Sequence, residues 1–267
     1  MMKIKIKETL LTLYRSLIVI LTYTLLFQSM YMCSKFISTF AIKIRTISLF
    51  SFWSATCMTL WCYTTCLFKN PGFLNEAGEN TTEYEIRVNM CEKCNLPKIK
   101  RSHHCSVCKK CVIKMDHHCI WINNCVGLYN QKFFILLNFY ALLMCCNCCF
   151  VVIFKIITCI KSQHNFKAEC VLTKMDLIHI IVNTISSLIF GMIALVMLVD
   201  QYCAIKTNTT GIELLKNIKG KTQPFHESLI EVFETPFSYL WLLPVNRKVQ
   251  KNLSVSANFT QKKNKVI

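Results

Sequence analysis

Apolar residues gather in four long stretches, at 11–33, 46–68, 133–157 and 177–199, with polar sequence between them. Each offers the roughly 20 residues, at about 1.5 Å rise apiece, that a bilayer crossing needs. The expected fold is therefore an α-helical polytopic membrane protein with four transmembrane helices. Residues 1–10 precede the first span, 69–132 separate the second from the third, and 200–267 follow the fourth. The first stretch is too long for a signal-peptide core and no small-residue cleavage pattern follows it, so it reads as a retained span. Arg15 near its start can snorkel to the interface. Asn138, Asn147 and Asn183 fall inside spans and are expected to hydrogen-bond between helices. The cysteines of Cys145-Cys146-Asn147-Cys148-Cys149 read as small polarizable packing residues. Residues 225–243 alternate aromatic, aliphatic and acidic positions, which predicts an interfacial helix broken near Pro236. The tail after Asn246 is basic and polar, and its end is expected to be disordered. No internal repeat spans the chain.

Composition agrees with a membrane protein: 53% of the 267 residues are hydrophobic and only 17% are charged. The formal charge of +17 predicts anionic partners: lipid headgroups, nucleic acid or phosphorylated cofactors. Charge does not orient the chain. The termini and central segment hold 23 Lys and Arg against six in the two short loops, yet the densities per residue are similar. Cysteine chemistry is more informative. Seven of the 18 cysteines lie between Cys91 and Cys125, and clustered thiols stay metal-competent in a reducing compartment. That puts residues 69–132 in the cytosol, with both termini. The sequons at Asn80, Asn208, Asn252 and Asn258 then fall on the cytosolic side and should carry no glycan. Cys66 and Cys203, near cytosolic span ends, could be acylated themselves or simply buried.

The chemistry sits in residues 91–127, CEKCNLPKIKRSHHCSVCKKCVIKMDHHCIWINNCVG. Cys91/Cys94 and Cys105/Cys108 are two C-x-x-C knuckles, and Cys111 extends the second. Such spacing lets two thiolates from one turn reach a tetrahedral metal. The stretch offers eleven Cys and His, whereas two closed tetrahedral zinc sites use eight, leaving three spare. All could be ligands or filler. Asp116-His117-His118-Cys119 offers another reading. A carboxylate, an imidazole and a thiol in four consecutive residues can form a base-assisted nucleophile. A free thiol, with a pKa of about 8.5, needs that help at neutral pH.

At these residues the chain resembles the DHHC family of protein S-acyltransferases (palmitoyltransferases). The likeness runs through 91–133 and includes SHHCSVC at 102–108, MDHHC at 115–119, Trp121, Asn124-Cys125-Val126-Gly127, Asn130 and Phe133. The resemblance implies one zinc on Cys91, Cys94, His104 and Cys111, and a second on Cys105, Cys108, His118 and Cys125. It leaves His103, His117 and Cys119 outside the metal, with Cys119 as nucleophile, His117 as general base and Asp116 orienting that base. Three departures stand out. Ile120 replaces the usual Pro after the nucleophile, Asn70-Pro71-Gly72 replaces Asp-Pro-Gly, and Thr210-Gly211-Ile212-Glu213 replaces Thr-Thr-x-Glu. Altered rate or specificity is expected from them, not loss of activity.

The implied reaction is a two-step thioester exchange. Cys119 takes a long-chain acyl group, palmitoyl, from acyl-CoA and passes it to cysteines of membrane-associated substrate proteins. The chain would occupy a cavity among the spans below Cys119. Arg101, Lys98, Lys100 and Lys132 are candidate cations for CoA phosphates, or solvated charges beside anionic lipid. The resemblance further implies two structural zinc ions and residence in the endoplasmic reticulum or Golgi membrane with the active site cytosolic. Nucleic acid is not an expected partner, because the intervals do not fit a Cys₂His₂ finger. A non-enzymatic zinc adaptor and a metal carrier are the competing readings.

Overall fold

A computed structural model describes residues 2–74, 86–164 and 172–245. Four long helices carry the chain: α1 (Met2–Ile37), α2 (Ile42–Phe68), α3 (Gln131–His164) and α4 (Lys174–Thr207). Among the described residues, three segments are long and apolar enough to cross a membrane, namely Thr9–Ile37, Gln131–Ser162 and Lys174–Thr207. The protein is thus a helical membrane protein. α2 has comparable length, but its eight Ser and Thr lower its mean hydropathy. All four helices overrun the apolar stretches. A helix satisfies its own backbone, so it can continue into the polar interface where the apolar pattern stops.

α3 is central, packing against α2 and α4, while α1 closes the bundle against α3 and α4. Phe36, Ile37, Phe52, Cys148 and Val151 form its buried centre. Polar groups lock the helices in register. Ser29 Oγ donates to Asn183 Oδ1 (2.6 Å), and Ser51 Oγ donates to Asn147 Oδ1 (2.8 Å). Asn138 instead donates to Phe134 O of its own helix. Thr173 caps α4, its hydroxyl accepting from Asp176 N while the Asp176 carboxylate receives Thr173 N–H.

Three antiparallel hairpins lie between α2 and α3: β1 (Ile86–Cys91) with β2 (Leu96–Ile99), β3 (His103–Cys105) with β4 (Lys110–Val112), and β5 (His117–Cys119) with β6 (Asn124–Val126). They are three copies of one unit. Cys91, Cys105 and Cys119 recur every 14 residues and pair across their hairpins with Leu96, Lys110 and Asn124. Each turn is closed by a residue in the left-handed region, Asn95 (φ 53°), Lys109 (φ 57°) and Asn123 (φ 44°). This repeat is too short and too degenerate to stand out beside the long spans.

The hairpins are anchored at both ends. Asn70 Oδ1 accepts from Gly72 N (2.9 Å) and Phe73 N (2.7 Å), and Gly72 O accepts from Ile113 N. An Asn side-chain oxygen can accept here as an Asp would. Gly72 is required by its φ of +113° in this turn, and Gly127 by fit, since a Cβ there would lie 2.6 Å from Pro71 O. Asn124 Nδ2 donates to Cys66 O (3.0 Å) and Lys69 O (2.8 Å), seating the third hairpin on the end of α2. Beyond α4, α5 (Gly211–Leu215) and α6 (Phe225–Phe233) return to the hairpins, followed by a 3₁₀ turn (Tyr239–Leu242). α6 ends at Glu234, which is left-handed, two residues before Pro236. The sequons at Asn80, Asn252 and Asn258, and the basic tail, lie outside the described residues.

Candidate active site

The hairpin repeat sorts the Cys and His residues by strand period. On β3, His104 faces away from His103 and Cys105, and on β5, His118 faces away from His117 and Cys119. His104 stands directly opposite Cys111 and His118 directly opposite Cys125. Each cross-strand pair meets the C-x-x-C knuckle of the preceding hairpin. The result is two half-buried clusters, Cys91–Cys94–His104–Cys111 and Cys105–Cys108–His118–Cys125, with all ligand atoms of each within 4.8 Å of one another. A tetrahedral zinc with bonds of about 2.3 Å to sulfur and about 2.0 Å to nitrogen needs ligand atoms roughly 3.5–3.8 Å apart. In the second cluster His118 Nδ1 lies 3.7, 3.4 and 3.6 Å from the sulfurs of Cys105, Cys108 and Cys125. In the first the corresponding separations from His104 Nδ1 run from 3.1 to 3.9 Å. Both donor sets fit zinc.

The third repeat breaks the pattern. Where the first two carry a second knuckle cysteine, Cys94 and Cys108, the third has Ile122, fully buried. Cys119 therefore has the position of a zinc ligand but, among the described residues, belongs to neither metal cluster. It lies on the face of β5 that also carries His117, and both residues line one cavity. Ser102-His103 is the earlier counterpart of Asp116-His117, so a carboxylate appears only in the copy that has a spare thiol.

Asp116 is almost fully buried, at 3% exposure. Its Oδ2 accepts from His117 Nδ1 (2.9 Å) and Gln201 Nε2 (2.7 Å), and its Oδ1 accepts from Gly211 N. Burial opposes a charged carboxylate, but these hydrogen bonds outweigh it and hold Asp116 below the usual range. For His117, burial disfavours the imidazolium, while Asp116 and then Cys119 favour it more strongly and lift the ring to about 9. Phe134 meets the imidazole edge-on, with centroids 5.2 Å apart. The arrangement can hold a proton on His117 at the edge of the surface that carries the thiol.

Cys119 opens onto an apolar cavity of about 320 Å³ between all four helices. His117, Trp121 and Ile120 stand at its mouth, Leu26, Leu137, Met144 and Phe190 line its walls, and Ser29, Cys145 and Ser187 lie at its far end. From Phe134 to Cys145 it follows α3 for about 16 Å. Ile120 is 44% exposed at the mouth, and Asn123 N–H donates to its carbonyl (3.2 Å), so the turn closes without proline. A second, basic cavity of about 470 Å³ is lined by Lys93, Lys98, Lys216, His103 and Glu92 beside the first metal cluster.

The suggested cations divide accordingly. Lys98 faces the basic cavity. Arg101 is committed, gripping Glu213 through Nε and Nη2 (both 2.8 Å) and Asn208 through Nη1 (2.8 Å). Lys132 is 5% exposed and donates to the carbonyls of Leu240 and Val245 (both 2.9 Å). Cys66 is fully buried under the third hairpin, and Cys203 is exposed. Sequence reasoning missed Gln131, Gln201 and the amide of Gly211, which reach Asp116 or its partner from α3, α4 and α5. Gln201 was detectable in principle, as an amide at the end of an apolar helix.

Residues 84–218 match the family model described as DHHC palmitoyltransferase. The chain is 37% identical over 159 residues to palmitoyltransferase ZDHHC3 of Homo sapiens, covering 59% of this chain and 53% of that protein. It is 36% identical over 190 residues to palmitoyltransferase ZDHHC7 of Mus musculus, covering 67% and 60%. Over a 65-residue segment, 24% of this chain and 18% of the relative, it is 63% identical to palmitoyltransferase ZDHHC20 of Bos taurus. The matches to ZDHHC3 and ZDHHC7 thus span just over half of each relative's length.

Proposed function

Since the chain belongs to the DHHC palmitoyltransferase family, we propose that it is a four-span protein S-acyltransferase, moving a long-chain acyl group, palmitoyl, from acyl-CoA to cysteines of membrane-associated proteins through acyl-Cys119. The reading rests on one observation. Cys119 stands outside both Cys/His clusters, next to His117, at the mouth of an apolar cavity.

In the first step His117 holds the proton of the Cys119 thiol, and the thiolate attacks the thioester carbonyl of acyl-CoA. The C–S bond to CoA breaks and CoA leaves as its thiol, taking up a proton. The acyl chain lies in the cavity, where each buried CH₂ contributes about 0.8 kcal/mol. In the second step a substrate cysteine attacks acyl-Cys119, losing its proton to His117, and Cys119 is released. Asp116 fixes the ring's orientation and supports its charge throughout. Lys98, with Lys93 and Lys216, supplies cations for CoA phosphates. Zinc in the two Cys₃His clusters would serve the fold, with all four positions filled by protein.

α2 is the fourth crossing. Its length of 27 residues suffices, and Thr56, Thr59 and Thr65 return their hydroxyls to carbonyls one turn back, which lowers the cost of placing them in the bilayer. The spans are taken at 11–33, 46–68, 133–157 and 177–199, with residues 1–10, the catalytic segment 69–132 and 200–267 cytosolic. Cys159, about 42 Å along α3 from its start, is disulfide-bonded, which supports an oxidising far side in the endoplasmic reticulum or Golgi.

The test is incubation of the purified full chain with labelled palmitoyl-CoA. Wild type is expected to take up hydroxylamine-sensitive label, and Cys119→Ser to take up none while keeping two zinc ions. Label on the Ser variant, or zinc loss with it, would sink the assignment. Zinc without label on the wild type would favour an adaptor.

A further inference from the structure

Asp116 is held by more than its own loop. Its Oδ2 is shared between His117 and Gln201, and Gln201 Oε1 accepts from Gln131 Nε2 (3.0 Å). Both amides are buried, Gln201 at 1% exposure and Gln131 at 5%. A buried amide is costly unless its hydrogen bonds are made, so each fixes the position of the next. Gln131 opens α3 and Gln201 lies on α4, and these two helices form walls of the apolar cavity. Phe134 is one turn after Gln131 and Met197 one turn before Gln201, and both line the cavity. Phe134 also touches the His117 ring. The spacing of α3 and α4 at the cavity mouth therefore sets where the Gln201 amide meets Asp116.

We propose that Gln201, oriented by Gln131, is a positioning residue for Asp116, and that it couples the filling of the apolar cavity to the rate of transfer at Cys119. The proposal rests on Cys119 being the acyl-carrying nucleophile. Gln201 forms and breaks no covalent bond. It occupies one lone-pair direction of Oδ2, which leaves the other for His117 and prevents the carboxylate from turning. An apolar chain that seats fully between α3 and α4 holds the two glutamines in register. A chain that seats badly shifts one helix against the other and, through the amides, turns Asp116. A displacement of about 1 Å in a catalytic group can cost on the order of 100-fold in rate. Loosening one of several constraints on Asp116 should cost about tenfold.

The experiment uses the full chain in detergent and follows steady-state transfer as well as single-turnover acylation with labelled acyl-CoA of graded chain length, for wild type, Gln201→Leu, Gln131→Leu and the double variant. In Gln201→Leu, kcat for palmitoyl-CoA is expected to fall about tenfold with KM unchanged within about twofold, and the rate difference between long and short chains should narrow. Gln131→Leu should show a smaller fall. The double variant should be no slower than Gln201→Leu, because both residues act along one relay. Zinc content should stay at the wild-type value in all three. Unchanged kcat in Gln201→Leu, multiplied losses in the double variant, an unaltered chain-length profile, or zinc loss in both single variants would overturn the proposal. A wild type that takes up no label overturns the Cys119 reading and this one with it. Normal labelling of wild type and Gln201→Leu alike overturns this one alone.

Discussion

At the scale of single residues, the contacts that organise the site are the buried charged ones. Glu213 is 2% exposed and receives two hydrogen bonds from Arg101, and Arg101 also holds Asn208. Burial works against the Glu213 charge, but Arg101 and the Thr210 amide outweigh it and hold the carboxyl below its usual range. A depressed folded pKa adds stability that is fully present above the unfolded value of about 4.3 and is lost as pH falls through the folded one. Glu213→Gln is therefore expected to lower stability by about 2 kcal/mol at neutral pH, less than a fully buried pair would lose because Arg101 is partly exposed. The gap to wild type, read from melting in detergent, should close only in acid below the ordinary glutamate range. A gap that stays constant through that range would mean that shape, not charge, was lost. What the sequence discloses at this scale depends on distance along the chain. The Cys and His residues meet within one or two hairpins, so their spacing is readable. Arg101–Glu213 and Asp116–Gln201 join residues that only the folded bundle brings together, and a lone Arg or Gln in the sequence has nothing nearby to mark its partner.

At the scale of elements, the hairpins and metal clusters are interleaved, and this sets the order in which they should fail. The first cluster ties hairpin one to hairpin two, and the second ties hairpin two to hairpin three. Cys94→Ala should lower zinc from two to one and loosen only the first hairpin, leaving the β5 strand of Cys119 seated on α2 through Asn124. Cys108→Ala should be worse, releasing the second hairpin from the third and exposing β5. Structural zinc contributes on the order of 10 kcal/mol per site, so neither loss can be absorbed by these short strands. Metal analysis together with amide exchange over 86–126 checks both outcomes. Equal exchange in the two variants would mean that the hairpins unfold as one unit. The 14-residue repeat also shows why a lone thiol remains. The third hairpin keeps the first knuckle position as Cys119 and fills the second with Ile122. Helix existence was legible from apolar runs, and so was the end of α2 at Phe68, whereas the other helix ends were not. Backbone hydrogen bonding carries α1, α3 and α4 past both ends of their apolar stretches and α2 past the start of its own.

At the scale of the whole molecule, the two ends of the bundle differ in sulfur chemistry. The end bearing the hairpins holds the two Cys/His clusters and the free thiols of Cys66, Cys119 and Cys203, while Cys159 near the other end of α3 is disulfide-bonded. Net charge cannot orient such a chain, because basic residues are spread at similar density over both sides. Redox state can, since metal-competent thiols and a disulfide persist in opposite environments. The expectation is that the hairpins face the cytosol and the α3–α4 connection faces the lumen. Asn208 gives a direct reading. It is 6% exposed, its amide donates to Lys221 O, and its carbonyl accepts from Arg101, so a glycan there would also break the contact between α5 and the hairpins. Expressed in eukaryotic cells, the chain should show no mobility shift on endoglycosidase treatment. An Asn-x-Thr introduced within 165–171 should be glycosylated and should leave acyl labelling in place. If a native sequon is modified and the introduced one is not, the hairpins lie in the lumen. Cytosolic acyl-CoA could then not reach Cys119.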